Sequence, residues 1–586
     1  MMGALAGRGV AWLANLAVVA TLLLLIGLPL TLVLVQSFVP ALFDPLAPSF
    51  ALDVGSLART LGEPRLLRSI LNSLLLASAV SVSATALGAC FALAISRTDV
   101  PWRGVFGSTP WLVFLTPSYL KALSWILLMA PGGYFAQFGL SWPALSEAFF
   151  GPVGLIFVHT LNLFPLPYFV ISAALAGLGS EYEDAARMAG VRLSRCWTHI
   201  NLPLLAPAFA LCFIAIYAEV LSDFGLASTI ARVSDFGLLT YGIYSAASTY
   251  PVDFALAGTQ ALVLLLLVAA LVLADRLLRR QVAARLISGR SRPVRVYSLG
   301  VWRWPVAAVI GFIAFVALVL PIVTIATRAF CRTLDAGLHR ANFTTQYITR
   351  ALTWHDPNNE ALVRSLGFAL ATASIAAGMA LLLSLRLDGA NRILRPMVLA
   401  LALGTVAIPG IVLGFGYILV WDRLPVFRDL PFPRYGSSAL LVMGYIGAAL
   451  PYCLVIILTA VGQLAPSLSE AARLNGVGWL RRMVAIVLPL VSLSVVTAFL
   501  FTFIRSVFEL PMSELLVPVT GPAAASMIVH LFGKDDDGLG SALSVVAMII
   551  VAIASSVVWL LAQTAVRRRL HAPPGRPVLA TEVVSA

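Results

Sequence analysis

The sequence predicts an all-α membrane protein with about twelve transmembrane helices arranged as two parallel six-helix repeats. Three observations carry this. Long stretches hold no charge at all and exceed the roughly 20 apolar residues that take a helix across a bilayer. The arginines gather in a few short loops. The two halves of the chain repeat one another at a nearly constant offset.

The uncharged runs include Ala11–Phe38, Ile70–Ser96, Phe254–Ala274, Trp304–Thr327, Met397–Trp421 and Ser541–Val566. With 60% hydrophobic and 11% charged residues, the 586-residue chain has too little charge to cover a soluble surface. Hydropathy places the first six spans near 11–36, 66–96, 105–130, 152–178, 204–223 and 253–275. The second six fall near 304–327, 363–385, 397–421, 437–464, 490–508 and 539–566. The organisation expected is therefore a first repeat over 1–275, an arginine-rich linker over 276–303, a second repeat over 304–570 and a tail over 571–586. The first span is expected to stay in the protein, because its apolar run is too long for a signal core and Leu34–Pro40 offers no small-residue cleavage site.

The net charge of +13 does not point to nucleic acid. Arg276, Arg279, Arg280, Arg285, Arg290, Arg292, Arg295 and Arg303 sit in the linker, and Arg567–Arg569 follow the last span. Such clusters mark cytoplasmic loops beside anionic lipid. With an even number of spans, both termini then lie on the cytoplasmic side, and the loops bearing Arg97, Arg103, Arg386, Arg392 and Arg395 join them. Cys90, Cys196, Cys212, Cys331 and Cys453 are scattered, as are the six histidines, so neither a disulfide framework nor a metal site is predicted.

The repeat is sharpest in one loop. Residues 183–203 read EDAARMAGVRLSRCWTHINLP and residues 469–489 read SEAARLNGVGWLRRMVAIVLP. Asp184, Gly190 and Pro203 match Glu470, Gly476 and Pro489 at a spacing of 286. Further upstream, Ser73, Arg103 and Pro117 match Ser365, Arg395 and Pro409 at 292, so a six-residue indel separates the two registers. Each repeat has an even number of spans, so the copies point the same way, related by an axis along the membrane normal. Locally the loop predicts a helix–turn–helix. Its alanine-rich start favours helix, and Gly190 and Gly476 are placed to end it. The alanine pairs Ala185, Ala186 and Ala471, Ala472 would leave a shallow face for close approach by another protein.

The doubled pattern, acidic-Ala-Ala-x3-Gly-x9-Ile-x-Leu-Pro, resembles the EAA loop of binding-protein-dependent ABC importer permeases. The resemblance implies the type I importer permease fold in the bacterial inner membrane, working by alternating access, and a coupling helix in each loop. Asp184–Gly190 and Glu470–Gly476 would each dock on one of two ATPase subunits, and a periplasmic binding protein would deliver the cargo. The first copy departs from the family in having Asp where Glu is usual. No phosphate loop is present in this chain: it has only Lys121 and Lys534, and Gly533-Lys534-Asp535 lacks the Ser/Thr that a P-loop needs. The chain is thus expected to be a transport subunit without a cofactor, with ATP and Mg bound by the partner ATPase.

Ionisable residues within spans are costly and commonly functional. Lys121, Glu219, Asp223 and Glu509 stand out. Asp223 and Glu509 share the 286 spacing, and Glu219 maps onto Arg505, which allows a salt bridge across the halves. Asp223 and Glu509 either line a gate for a cationic or metal-bearing substrate, or cap broken helix ends or pair with Arg505 and serve assembly only. Lys121, beside Tyr119, is expected to snorkel toward the membrane surface. Pro117 and Pro409 should break the third and ninth spans, as is tolerated where helices line a cavity. Segments EVLSDFGLA (219–227) and FELPMSELL (508–516) resemble ferric-iron transport permeases, which are commonly fused two-half chains. Thiamine, phosphonate and polyamine carriers are similar, and an ion-coupled secondary transporter or a membrane scaffold remains as an alternative class.

Overall fold

The computed structural model describes residues 19–43, 49–283, 295–387, 399, 408–534 and 536–571, apart from 141, 179, 235 and 432. The start of the first span, Asp44, much of the linker, the loop bearing Arg386, Arg392 and Arg395 with the first part of the ninth span, and the tail beyond 571 lie outside the described side chains. Every named element is helical, and β-pairing among the described residues is confined to two isolated bridges.

Nine helices among the described residues are long and apolar enough to cross a membrane, from Val19–Phe38 and Pro64–Arg97 through to Asp537–Arg568. Two bent pairs raise the number to as many as eleven. One is the predicted third span, which breaks into Arg103–Leu115 and Ser118–Gln137 at an angle of 98°. The break falls at Pro117, whose missing N–H and bulky ring cannot continue the helix. The other pair is Pro143–Phe149 and Pro152–Leu163, bent by 69°; the predicted fourth span itself comprises Pro152–Leu163 and Pro165–Gly177, which meet at Phe164.

Among the π-turns of the described residues, four lie within spans as two equivalent pairs, at Leu23–Gly27, Trp197–Asn201, Phe315–Val319 and Met483–Val487. Each is followed at once by Leu-Pro. A proline ring collides with the carbonyl four residues earlier, and widening the preceding turn relieves that clash without breaking the helix. The four π-turns form two equivalent pairs at the two repeat spacings, so the halves match in backbone detail as well as in motif.

Hydrogen bonds repeat too. The Ser73 hydroxyl accepts from the Leu239 N–H (3.1 Å), and its counterpart Ser365 accepts from Ala524 N–H (2.7 Å). The first span of each half crosses to the other half. Leu22, Leu25 and Ile26 join a core cluster with Ala376, Leu450 and Cys453, and the Tyr417 hydroxyl donates to the Leu25 carbonyl (3.0 Å). Reciprocally, Trp304 at the start of the seventh span meets Trp102 edge-on at 5.9 Å. This exchange of first helices ties the two repeats into one body.

Candidate functional site

The two loop helices are Glu181–Met188 and Pro466–Leu474. Gly190 and Gly476 adopt φ of +73° and +72°, the left-handed region that favours glycine. Val191 N–H then reaches back to the Ala186 carbonyl (2.9 Å) and Val477 N–H to that of Ala472 (3.0 Å), closing a Schellman turn in both copies.

The alanines do not form one shared face. Ala185 and Ala471 are exposed, whereas Ala186 and Ala472 are buried against this chain. The reason is helical periodicity: Ala186 lies three residues from Glu183, on the inward side, and its neighbour Ala185 is rotated about 100° away. What the outer faces present instead are large apolar side chains at equivalent positions. Met188 is 88% exposed and Leu474 89%, and Tyr182 and Leu468 are also exposed. The EAA pattern does not mark these positions, although the 286 spacing pairs them.

Glu183 also escaped the pattern, which begins at its neighbour Asp184. It is buried, and its carboxylate accepts from Arg97 Nη1 (3.4 Å), Asn201 Nδ2 (3.0 Å) and the Tyr297 hydroxyl. Arg97 donates further to the Leu175 and Leu178 carbonyls at 3.0 and 2.7 Å. Removing one member of such a buried ion pair costs about 3–5 kcal/mol, because the other charge is left uncompensated.

At the far ends of the fifth and eleventh spans lies a cavity of about 300 Å³. The fifth span runs 21 residues from Leu202 to Ser222, which puts the cavity roughly 30 Å from the loop helices at 1.5 Å per residue. Its lining includes Pro117, Glu219, Asp223, Tyr452, Arg505 and Glu509, and Ile408 and Gly410 on either side of Pro409. Equivalent positions of the halves thus build it twice, with Thr116 facing the role of Ile408 and Ser118 that of Gly410.

Asp223 Oδ1 accepts the Leu226 N–H (2.9 Å), while Glu509 accepts from Met512 N–H (3.0 Å) and Ser513 N–H (3.2 Å). Leu226 and Met512 are themselves equivalent. Both acids therefore cap the backbone that restarts after the span, and both also border the cavity, so the two readings of the sequence do not exclude one another. Glu219 and Arg505 open onto the cavity, but no ion pair joins them. Arg505 lies over the Tyr452 ring, 4.4 Å from its centroid, where a cation–π contact holds the guanidinium instead. It remains within electrostatic range of Glu219 and Glu509.

Lys121 does not snorkel. It is 2% exposed, and its Nζ donates to the Val113 carbonyl at 2.8 Å. That carbonyl would pair in an intact helix with the N–H of residue 117, which proline lacks. The ammonium fills the vacancy and braces the kink. Among the described residues, no group of three or more His, Cys, Asp or Glu side chains is placed to hold a metal ion.

Comparison with known proteins fits this geometry. Residues 374–572, which contain the second loop helix, match the model for the binding-protein-dependent transport system inner membrane component. The chain is 24% identical over 465 residues to the putative ferric transport system permease protein FbpB 1 of Haemophilus influenzae, covering 76% of this chain and 70% of the relative. It is 22% identical over 522 residues to the ferric transport system permease protein FbpB of Actinobacillus pleuropneumoniae, covering 86% and 73%. It also resembles the sulfate transport system permease protein CysT of Salmonella typhimurium, at 25% over 169 residues, covering 29% of this chain and 60% of that one.

Proposed function

We infer that this chain, a multi-pass inner-membrane permease of the binding-protein-dependent ABC importer type, forms the whole translocation path as a single-chain pseudo-dimer. Two ATPase subunits dock on Glu181–Met188 and Pro466–Leu474, burying Met188 and Leu474, and they bind ATP and Mg²⁺. Both termini and both loops face the cytoplasm in this reading. A periplasmic binding protein delivers cargo from the opposite side, where the cavity lies. The observation that carries the reading is the pairing of two equivalent helices, each with an exposed apolar residue, with a shared acid-lined cavity a membrane thickness away.

The cargo proposed is ferric iron. Two of the relatives are named for ferric transport, and three carboxylates, Glu219, Asp223 and Glu509, border the cavity with Arg505 as the counter-charge. A path must hold its ion weakly enough to release it, and acids already engaged in capping suit passage better than storage. Transport is tested by reconstituting the permease with its ATPase and binding protein in liposomes. ATP-driven uptake of ferric iron, lost on removing the binding protein, supports the reading; uptake of sulfate or thiamine without iron would overturn the cargo.

A further inference from the structure

The two loop helices are not anchored alike. At the end of the linker, residues 295–299 run across the first repeat as a short strap. Tyr297 forms a parallel bridge with Thr98, its N–H donating to the Arg97 carbonyl (2.7 Å) while its carbonyl accepts from Asp99 N–H (3.2 Å). Asp99 in turn accepts from Leu299 N–H (2.8 Å) and the Ser298 hydroxyl (3.0 Å). The Leu299 N–H, the largest influence, holds the Asp99 carboxyl below its usual value. From this strap Arg295 reaches Asp184 (3.3 Å), and the Tyr297 hydroxyl donates to buried Glu183. Both targets lie in the first turn of the first loop helix.

At the equivalent positions the second repeat has different residues. Glu183 corresponds to Ser469 and Asn201 to Val487, so neither the carboxylate nor its amide donor exists there. The strap also leads directly into Gly300–Ala329, the seventh span. The first loop helix is therefore fastened through one carboxylate to the second span (Arg97), the fifth (Asn201) and the linker end that leads into the opposite repeat (Tyr297).

We propose that Glu183 and Tyr297 are positioning residues forming an inter-repeat latch that makes the first loop helix a rigid lever and leaves the second compliant. Resting on the reading of these helices as ATPase docking sites, the latch makes the two ATPases inequivalent: one drives a helix fixed to both repeats, the other a helix free to tilt. Burial, followed by the adjacent Glu183 carboxylate, pushes the Tyr297 phenol up to about 12, so it stays a donor at any physiological pH.

The test is hydrogen exchange on the intact permease, alone and with its ATPases, comparing wild type with Tyr297→Phe and Glu183→Gln. In wild type, amides of Glu181–Met188 should exchange more slowly than those of Pro466–Leu474. Tyr297→Phe should speed exchange in the first helix about tenfold, the scale of one lost hydrogen bond, and leave the second unchanged. Glu183→Gln, which keeps an oxygen acceptor but leaves the buried Arg97 charge uncompensated, should speed it further than Tyr297→Phe does. In the reconstituted transporter, Tyr297→Phe should keep ATP hydrolysis but lower cargo moved per ATP severalfold. Equal exchange in the two wild-type helices, or equal acceleration of both by Tyr297→Phe, overturns the latch. Exchange is read on the permease itself, so that failure is distinct from failure to bind an ATPase, which would strike the docking reading alone.

Discussion

Met188→Glu offers the cleanest perturbation of docking. Met188 is 88% exposed, so the substitution removes almost no packing from this chain and its own stability should hold within about 0.5 kcal/mol. Burying a methionine in a partner's cleft is worth about 1.5–3 kcal/mol. Glutamate forfeits that and adds an unpaired buried charge, for a total loss of roughly 3–4 kcal/mol at one site. Affinity for one ATPase should fall by about 100- to 1,000-fold, since each 1.4 kcal/mol is a factor of ten. Leu474→Glu should do the same at the other helix. The assay is titration of purified ATPase onto detergent-solubilised permease, with thermal unfolding of the permease as the control. Unchanged binding in the Met188→Glu, Leu474→Glu double variant would refute docking through these faces. Ala186 makes a poorer probe, because it is 6% exposed; Ala186→Leu would overpack this chain by about 1–3 kcal/mol and confound the result, whereas Ala185→Leu changes only the outer face.

Gly190→Ala meets no neighbour within 4 Å, so its cost is the left-handed backbone alone, about 1–2 kcal/mol; circular dichroism melts should show that drop, and no change would mean the turn is not held. Lys121→Met should leave the Val113 carbonyl only the long Thr116 N–H contact (3.3 Å) and destabilise the kinked third span by about 1 kcal/mol; a denaturant series reads it, and an unaltered midpoint would refute the bracing role. The Asp223→Asn, Glu509→Gln double variant keeps oxygen acceptors for the caps but deletes both charges. Cargo transport should fall at least about tenfold with ATPase binding intact, and wild-type transport would leave the pair a capping role only.

Much of the fold was legible because bilayer crossing imposes a length and an apolar composition that survive in any single stretch of sequence. The Pro117 break was legible for the same local reason. The Lys121 brace on the Val113 carbonyl also has a signal, a lysine four residues beyond a mid-span proline, but choosing between snorkelling and bracing requires the 98° bend. Exchange of the first spans had no local signature: nothing within Leu22–Ile26 distinguishes packing on one repeat from packing on the other. At the loops, the motif drew the eye to Asp184 and the alanines, while helix facing put Met188 outward and Glu183 inward. In sequence Arg505 pairs with Glu219, because charge is visible there. The competing Tyr452 ring comes from a different helix and is not.

The central claim, one chain carrying two equivalent docking sites, is tested most directly by native mass spectrometry of the permease co-expressed with its ATPase. The account predicts one permease with two ATPases, falling to one ATPase in either Met188→Glu or Leu474→Glu. A complex with two permease chains, or a single ATPase on the wild-type chain, would contradict it.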